Sequence, residues 1–114
     1  MFSDKYDAIE TMLNEDTPRI VTLKLISGEE IVVDAKISNN VKDSLVVYNP
    51  LKIIEVNAES VVFTRWMVSS LRRVYPIDYS EVMVITRPSK RVINAYFQRT
   101  KVVYDESVPE SEEE

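Results

Sequence analysis

Residues 21–47 read VTLKLISGEEIVVDAKISNNVKDSLVV, and the architecture unfolds from them. Val21, Leu23 and Leu25 alternate with Thr22, Lys24 and Ile26, the two-residue period of a strand with one buried face. Ser27-Gly28-Glu29 breaks that period. Gly28 is the only glycine in the chain and can take a positive φ at no steric cost, as a tight hairpin demands. Ile31, Val33, Ala35 and Ile37 then alternate with Val32, Asp34 and Lys36, so the spacing predicts a second strand. The polar run Ser38-Asn39-Asn40-Val41-Lys42-Asp43 predicts a loop.

The pattern continues on both sides. Ser44 to Tyr48 and Leu51 to Val56 make a third strand. Asn49-Pro50 interrupts it and predicts a bend or a sheet edge, because proline cannot donate to a ladder. Asn57-Ala58-Glu59 turns the chain into a fourth strand from Ser60 to Met67 or Val68. A longer connection, Ser69 to Ser80, leads to a short fifth strand from Glu81 to Thr86. Upstream, Phe2, Tyr6, Ile9 and Leu13 recur on one face of a 3.6-residue period. Ser3 caps that helix, Asp4 and Asp7 suit its positive end, and Thr17-Pro18 stops it. Downstream, Ser89 opens a helix that aligns Val92, Ile93, Tyr96 and Phe97 on one stripe. Valine and isoleucine number 27 against 10 for leucine plus alanine, which favours strands through the stiffness of β-branched side chains. The expectation is an all-β protein: a strongly bent, five-stranded small barrel with an N-terminal helix at about 3–15, the barrel at about 19–87 and a C-terminal helix at about 89–100. Residues 1–104 form a single domain. Residues 105–114 combine a like-charge run with no periodicity and are expected to be a disordered acidic tail.

Composition excludes several chemistries. The 114 residues contain no cysteine and no histidine. That leaves no disulfide, no Cys/His zinc site, no cysteine nucleophile and no Ser-His-Asp triad. One glycine cannot supply a P-loop or a dinucleotide fingerprint. The carboxylates Glu29, Glu30, Asp34, Asp43, Asp78 and Glu81 fall in turns, loops or strand beginnings, where water is expected to keep them ordinary. General acid–base work instead needs a carboxyl in an apolar pocket. An enzyme is therefore not expected, and no cofactor or metal is implied. No apolar run approaches the ~18 residues that cross a bilayer, and the acidic start, Met1 to Asp7, has no apolar signal core. These features predict a cytoplasmic protein with no membrane partner.

Charge is unevenly spread. The net charge of −5 divides into −4 for residues 1–16, +5 for 17–104 and −6 for 105–114, and within 65–101 eight bases face two acids. A basic body between acidic ends suits a polyanion, and equally suits a solvated surface with a solubilising tail. Arg65, Arg72 and Arg73 are interleaved with Trp66, Tyr75 and Tyr79. Arginines there can pair with phosphates while the aromatics stack on bases; alternatively the aromatics pack the barrel and the arginines cover its rim. Lys90 and Arg91 stand at a helix start, where the dipole favours anions; that end is either simply solvated or occupied by a phosphate, a partner carboxylate or the acidic tail.

The stretch Val21 to Val47 resembles the first motif of Sm and Sm-like proteins, the group that includes the bacterial RNA chaperone Hfq. Leu25, Gly28, Ile31, Val33, Ala35, Ile37, Leu45 and Val47 carry the likeness, and Val84-Ile85-Thr86-Arg87-Pro88 echoes the second motif. Asn49-Pro50 and Arg65-Trp66-Met67 are similar to divergent Sm-like proteins of large tailed cyanophages, a likeness spanning roughly residues 2–100. The resemblance implies an Sm-like, SH3-type barrel whose fourth and fifth strands pair between subunits. It also implies a homo-oligomeric ring of roughly five to seven copies that binds single-stranded RNA in the cytoplasm of an infected bacterial host. RNA contacts then fall to Asn39, Asn40, Lys42, Arg65, Arg72, Arg73, Arg87, Lys90 and Arg91. Several signature positions differ. Asn39 stands where the motif has Asp, Val41 where many members have a stacking side chain, and Val33 and Pro88 where it has Gly. These departures weaken the inner base sandwich, so the competing expectation is an assembly or adaptor ring without nucleic acid.

Overall fold

The structure, a computed structural model, describes the backbone of residues 4–107 and the side chains of 5–100. The expected Phe2 and Ser3 contributions to the first helix, and the tail from residue 108 onward, lie outside the described residues. The elements in order are α1 (Asp4–Met12), β1 (Arg19–Leu25), β2 (Glu30–Ile37), β3 (Ser44–Val56), β4 (Val61–Arg65), β5 (Val74–Asp78), a 3-10 turn (Tyr79–Glu81), β6 (Val82–Thr86) and α2 (Lys90–Ser107). They form one antiparallel sheet, β4-β3-β2-β1-β6, with β5 added on β3. The bent sheet with a helix at each end is the expected Sm-like architecture.

The β1–β2 hairpin turns at Gly28, whose φ is +101°, while its N–H donates to the Leu25 carbonyl at 2.8 Å. β3 runs unbroken through Asn49-Pro50, yet it bends there. Asn49 takes a φ of +51°, and the register with β2 slips between Val32 and Asp34. A bulge of this kind increases local twist and lets a sheet curl.

Strand four is where the sequence reading needs correction. The fourth strand stops at Arg65, and the connection expected at 69–80 contains β5. β4 pairs with the second half of β3, Leu51 to Val56. β5 pairs with the first half, Ser44 to Tyr48. One ladder position along bent β3 is thus filled by two short segments, separated by the excursion Trp66 to Arg73. Six strands stand where five were expected. Pro76 argues locally against a strand, but β5 is an edge strand in this sheet, and edges tolerate proline.

The helices occupy opposite faces. Ile9 on α1 and Leu13 just after it pack on a core of Val21, Leu23, Leu25, Ile31, Val33, Ala35, Leu45, Val47, Ile77, Tyr79, Val82 and Ile85. The helix is short. It ends at Met12, before the expected Thr17-Pro18 stop, because Asn14 Oδ1 accepts the N–H groups of Asp16 and Thr17 at 2.8 Å each. Such a side-chain turn competes with helix continuation. α2 covers the outer face, joining Val92 and Tyr96 to Val32, Leu51 and Phe63. It runs to Ser107, seven residues past the expected end, and so takes in Asp105 and Glu106.

Candidate nucleic-acid interface

In a bent sheet of this order the loop between β2 and β3 meets the turn between β5 and β6. Two contacts join them: the Tyr79 N–H donates to the Asp43 carbonyl at 2.9 Å, and the Ser44 hydroxyl donates to the Ile77 carbonyl at 3.2 Å. Ser38 shapes the loop, its Oγ accepting from the N–H groups of Asn40 and Val41. Asp43 closes it with a φ of +56°, which a short polar residue tolerates better than most. Asn39, Asn40 and Lys42 are exposed on this loop. The turn that faces them carries Asp78 and Glu81, with no lysine or arginine in 78–81. Their junction is therefore rich in carboxylates, a poor seat for phosphate.

Arg87, in the second-motif echo, lies away from this turn. It follows β6 instead and borders a different feature, a groove shared with Arg19, Asp34, Ile93 and Phe97. The other cations divide between two further places. On the excursion, the Arg65 guanidinium donates to the Ser70 carbonyl, Arg72 is exposed and Arg73 is half-buried. At the start of α2, Lys90 is exposed and the Arg91 guanidinium donates to the Asn57 carbonyl. Arg99 holds the same helix to β4 through the Phe63 carbonyl at 3.3 Å. So the nine residues singled out from the sequence are carried by several separate elements. They occupy the β2–β3 loop, the excursion, the α2 start and the groove edge.

The aromatics interleaved with the arginines are packed. Trp66 and Tyr75 meet edge to face, ring centroids 5.9 Å apart, and the Trp66 N–H donates to Glu29 Oε1 at 3.1 Å. Tyr79 is buried and meets Tyr6 edge to face at 5.0 Å. Burial, together with the charges of Glu10 and Asp43, pushes its phenol up to about 12. Tyr79 is thus withdrawn from base stacking, while Trp66 and Tyr75 are half-buried and braced against each other.

The strands expected to pair between subunits stand at the two sheet edges and carry exposed apolar side chains: Val62 on β4 and Val74 on β5, and Met83 (52%) and Val84 (48%) on β6. Sequence reasoning missed Asp34. It was expected to be water-accessible and ordinary, but α2 lies over the sheet beside it. It is half-buried, and burial pushes its carboxyl above the usual carboxylate range.

Among the described residues no group of acids, histidines or cysteines is arranged to hold a metal ion, and no helix is long and apolar enough to cross a membrane. A family model, the Sm_like domain, matches residues 22–97. No curated protein matches the chain.

Proposed function

The chain belongs to the Sm-like family, and on that premise we propose that it assembles into a homo-oligomeric ring and binds single-stranded RNA as a non-enzymatic module. The observation that carries the ring is the pair of apolar edges. β4 and β5 present Val62 and Val74 to solvent, and β6 presents Met83 and Val84. Unpaired strand edges with apolar side chains invite another strand. Since the two edges differ, their pairing is head to tail, and a head-to-tail contact that returns on itself closes a ring. Roughly five to seven copies fit the family pattern.

RNA contact in this reading falls on the cationic surfaces outside the loop junction: Arg72 and Arg73 on the excursion, and Arg87 at the groove edge. Residues 1–104 act as the Sm-like domain and 105–114 as an acidic appendage. Likeness to Sm-like proteins of large tailed cyanophages supports a phage origin and action in the cytoplasm of the host. The carboxylates at the loop junction favour the second reading, a protein-assembly ring that carries no nucleic acid.

Two measurements test these statements. Light scattering should give a closed oligomer for the parent and a monomer for Val84→Glu, whose exposed position lets the fold survive. A parent that stays monomeric at micromolar concentration refutes the ring. Fluorescence anisotropy with short U-rich and A-rich RNAs across a salt series should show binding that weakens with salt. Each phosphate contact adds about 0.7 to the logarithmic slope for single strands, so replacing Arg72, Arg73 and Arg87 by alanine should reduce it by about 2. No binding by the parent selects the assembly ring.

A further inference from the structure

The groove between α2 and the start of β1 holds a combination that structural duty does not explain. It is an open groove of about 360 Å³, comparable in volume to small-ligand sites. Ile20 and Asp34, register partners on β1 and β2, are half-buried at its floor. Ile93 and Phe97, one turn apart on α2, form its wall, and Phe97 is 55% exposed. Arg19 and Arg87 stand exposed at the rim.

Asp34 is the unusual member. It interrupts an otherwise apolar run between Val33 and Ala35, both fully buried. Among the described residues its side chain has neither a hydrogen bond nor an ion pair, although two arginines border the same groove. Burial without a partner disfavours the charged form, and its carboxyl is pushed up accordingly. A half-buried carboxylate of this kind lowers stability unless something donates to it.

We propose that this groove binds one guanine nucleotide unit, with Asp34 accepting from the base edge, Phe97 stacking on the base, and Arg19 and Arg87 holding the phosphate. An ionised carboxylate only accepts hydrogen bonds, and it accepts two at once. Guanine presents two adjacent donors on one edge, its N1–H and its 2-amino group. Adenine and cytosine place a ring-nitrogen acceptor beside their amino donor, and uracil flanks its N3–H with two carbonyls, so each of those edges brings a lone pair against Asp34. An exposed aromatic face accepts any base; the carboxylate therefore carries the selectivity. Arginine suits phosphate through paired N–H donors. The unit can be a residue of RNA or a free nucleotide, because nothing in this chemistry needs the neighbouring residues. As an RNA site it rests on the RNA reading above; as a free-nucleotide site it stands without it.

The test uses the full chain, with GMP, AMP and UMP in calorimetric titrations and G-containing against G-free oligoribonucleotides by anisotropy. The parent should bind GMP at least tenfold more tightly than AMP or UMP. Asp34→Asn should abolish that preference while folding at least as well, since it removes an unpaired half-buried charge. Phe97→Ala, at an exposed position, should weaken all three nucleotides. Parallel losses for GMP and the G-containing RNA establish the site within RNA binding. GMP binding that Asp34→Asn weakens, with no RNA bound, establishes a free-nucleotide site and refutes the RNA reading alone. RNA binding that Asp34→Asn and Phe97→Ala leave unchanged, with no GMP bound, overturns the groove and spares the RNA reading. Equal affinity for the three nucleotides, or no binding of anything, also overturns it.

Discussion

Tyr96 links the C-terminal helix to the bend of the sheet, and removing its hydroxyl should cost more than its single proton suggests. The side chain is 2% exposed. Its O–H faces two β3 carbonyls, those of Tyr48 at 3.1 Å and Asn49 at 3.0 Å. Asn49 is the residue held at a φ of +51° where β3 bends. In Tyr96→Phe the hydrogen bond donated to these carbonyls disappears, worth about 0.5–1.5 kcal/mol net. The carbonyls left behind are part-buried, and losing their donor adds part of a further ~1–3 kcal/mol. Phenylalanine is itself easier to bury than tyrosine, which offsets some of that loss. The expected destabilisation is about 1.5–2.5 kcal/mol, or on the order of 6–12 °C in Tm for a domain of this size. Tyr75→Phe is the control. Its hydroxyl donates to the Arg72 carbonyl at 2.7 Å in an exposed bond, so water replaces it and the loss should stay below about 0.5 kcal/mol. Urea unfolding of parent and variants should be compared at one protein concentration, because oligomers gain apparent stability by mass action. Equal losses for the two variants, or a Tyr96→Phe loss under about 0.5 kcal/mol, would refute the argument that α2 holds the bend.

Two further outcomes are expected. Tyr79 ionises near 12 in the folded protein against an ordinary 10, so the folded state keeps a proton that the unfolded chain loses between these values. Stability should therefore fall as pH rises above 10, and the gap between the parent and Tyr79→Phe should narrow over that interval; a constant gap in pH-dependent unfolding curves contradicts this. Removing residues 108–114 deletes four glutamates, whose tethered charge competes with a polyanion for the basic surfaces most strongly at low salt. The truncated chain should bind RNA more tightly there with little change in Tm, and unchanged or weaker binding in anisotropy would make the tail a solubility device.

What was legible in the sequence was local. Alternation over Val21–Leu25 and Ile31–Ile37 marks two strands because the pleat has a period of two residues. Gly28 marks their turn because it bears no Cβ, and Asn49-Pro50 marks the bend because proline cannot donate. The apolar stripe that runs through Ile9 of α1 to Leu13 follows from a 3.6-residue period. Together with the likeness to the Sm first motif, these features suffice for the architecture. They also exclude histidine and cysteine chemistry, since neither residue occurs.

Only the tertiary structure decided which segment fills the ladder beside Ser44–Tyr48. Val74–Asp78 lies some thirty residues further along the chain and contains Pro76, so its assignment depends on the partner strand and on the edge position rather than on its own pattern. The end of α2 was likewise hidden, because an acidic run discourages packing but does not itself stop a helix once it is nucleated. The candidate sites show the same division. Arginine-rich segments can be counted from residues alone, but which carbonyls their guanidinium groups meet, as Arg65 meets Ser70 and Arg91 meets Asn57, depends on the fold. Asp34 is one carboxylate among six until α2, some sixty residues downstream, lies against the outer face of the sheet and removes water from one side of it. Alternation records which face of a strand a residue occupies; only packing determines what covers that face, and that decides whether a charge is solvated or needs a partner.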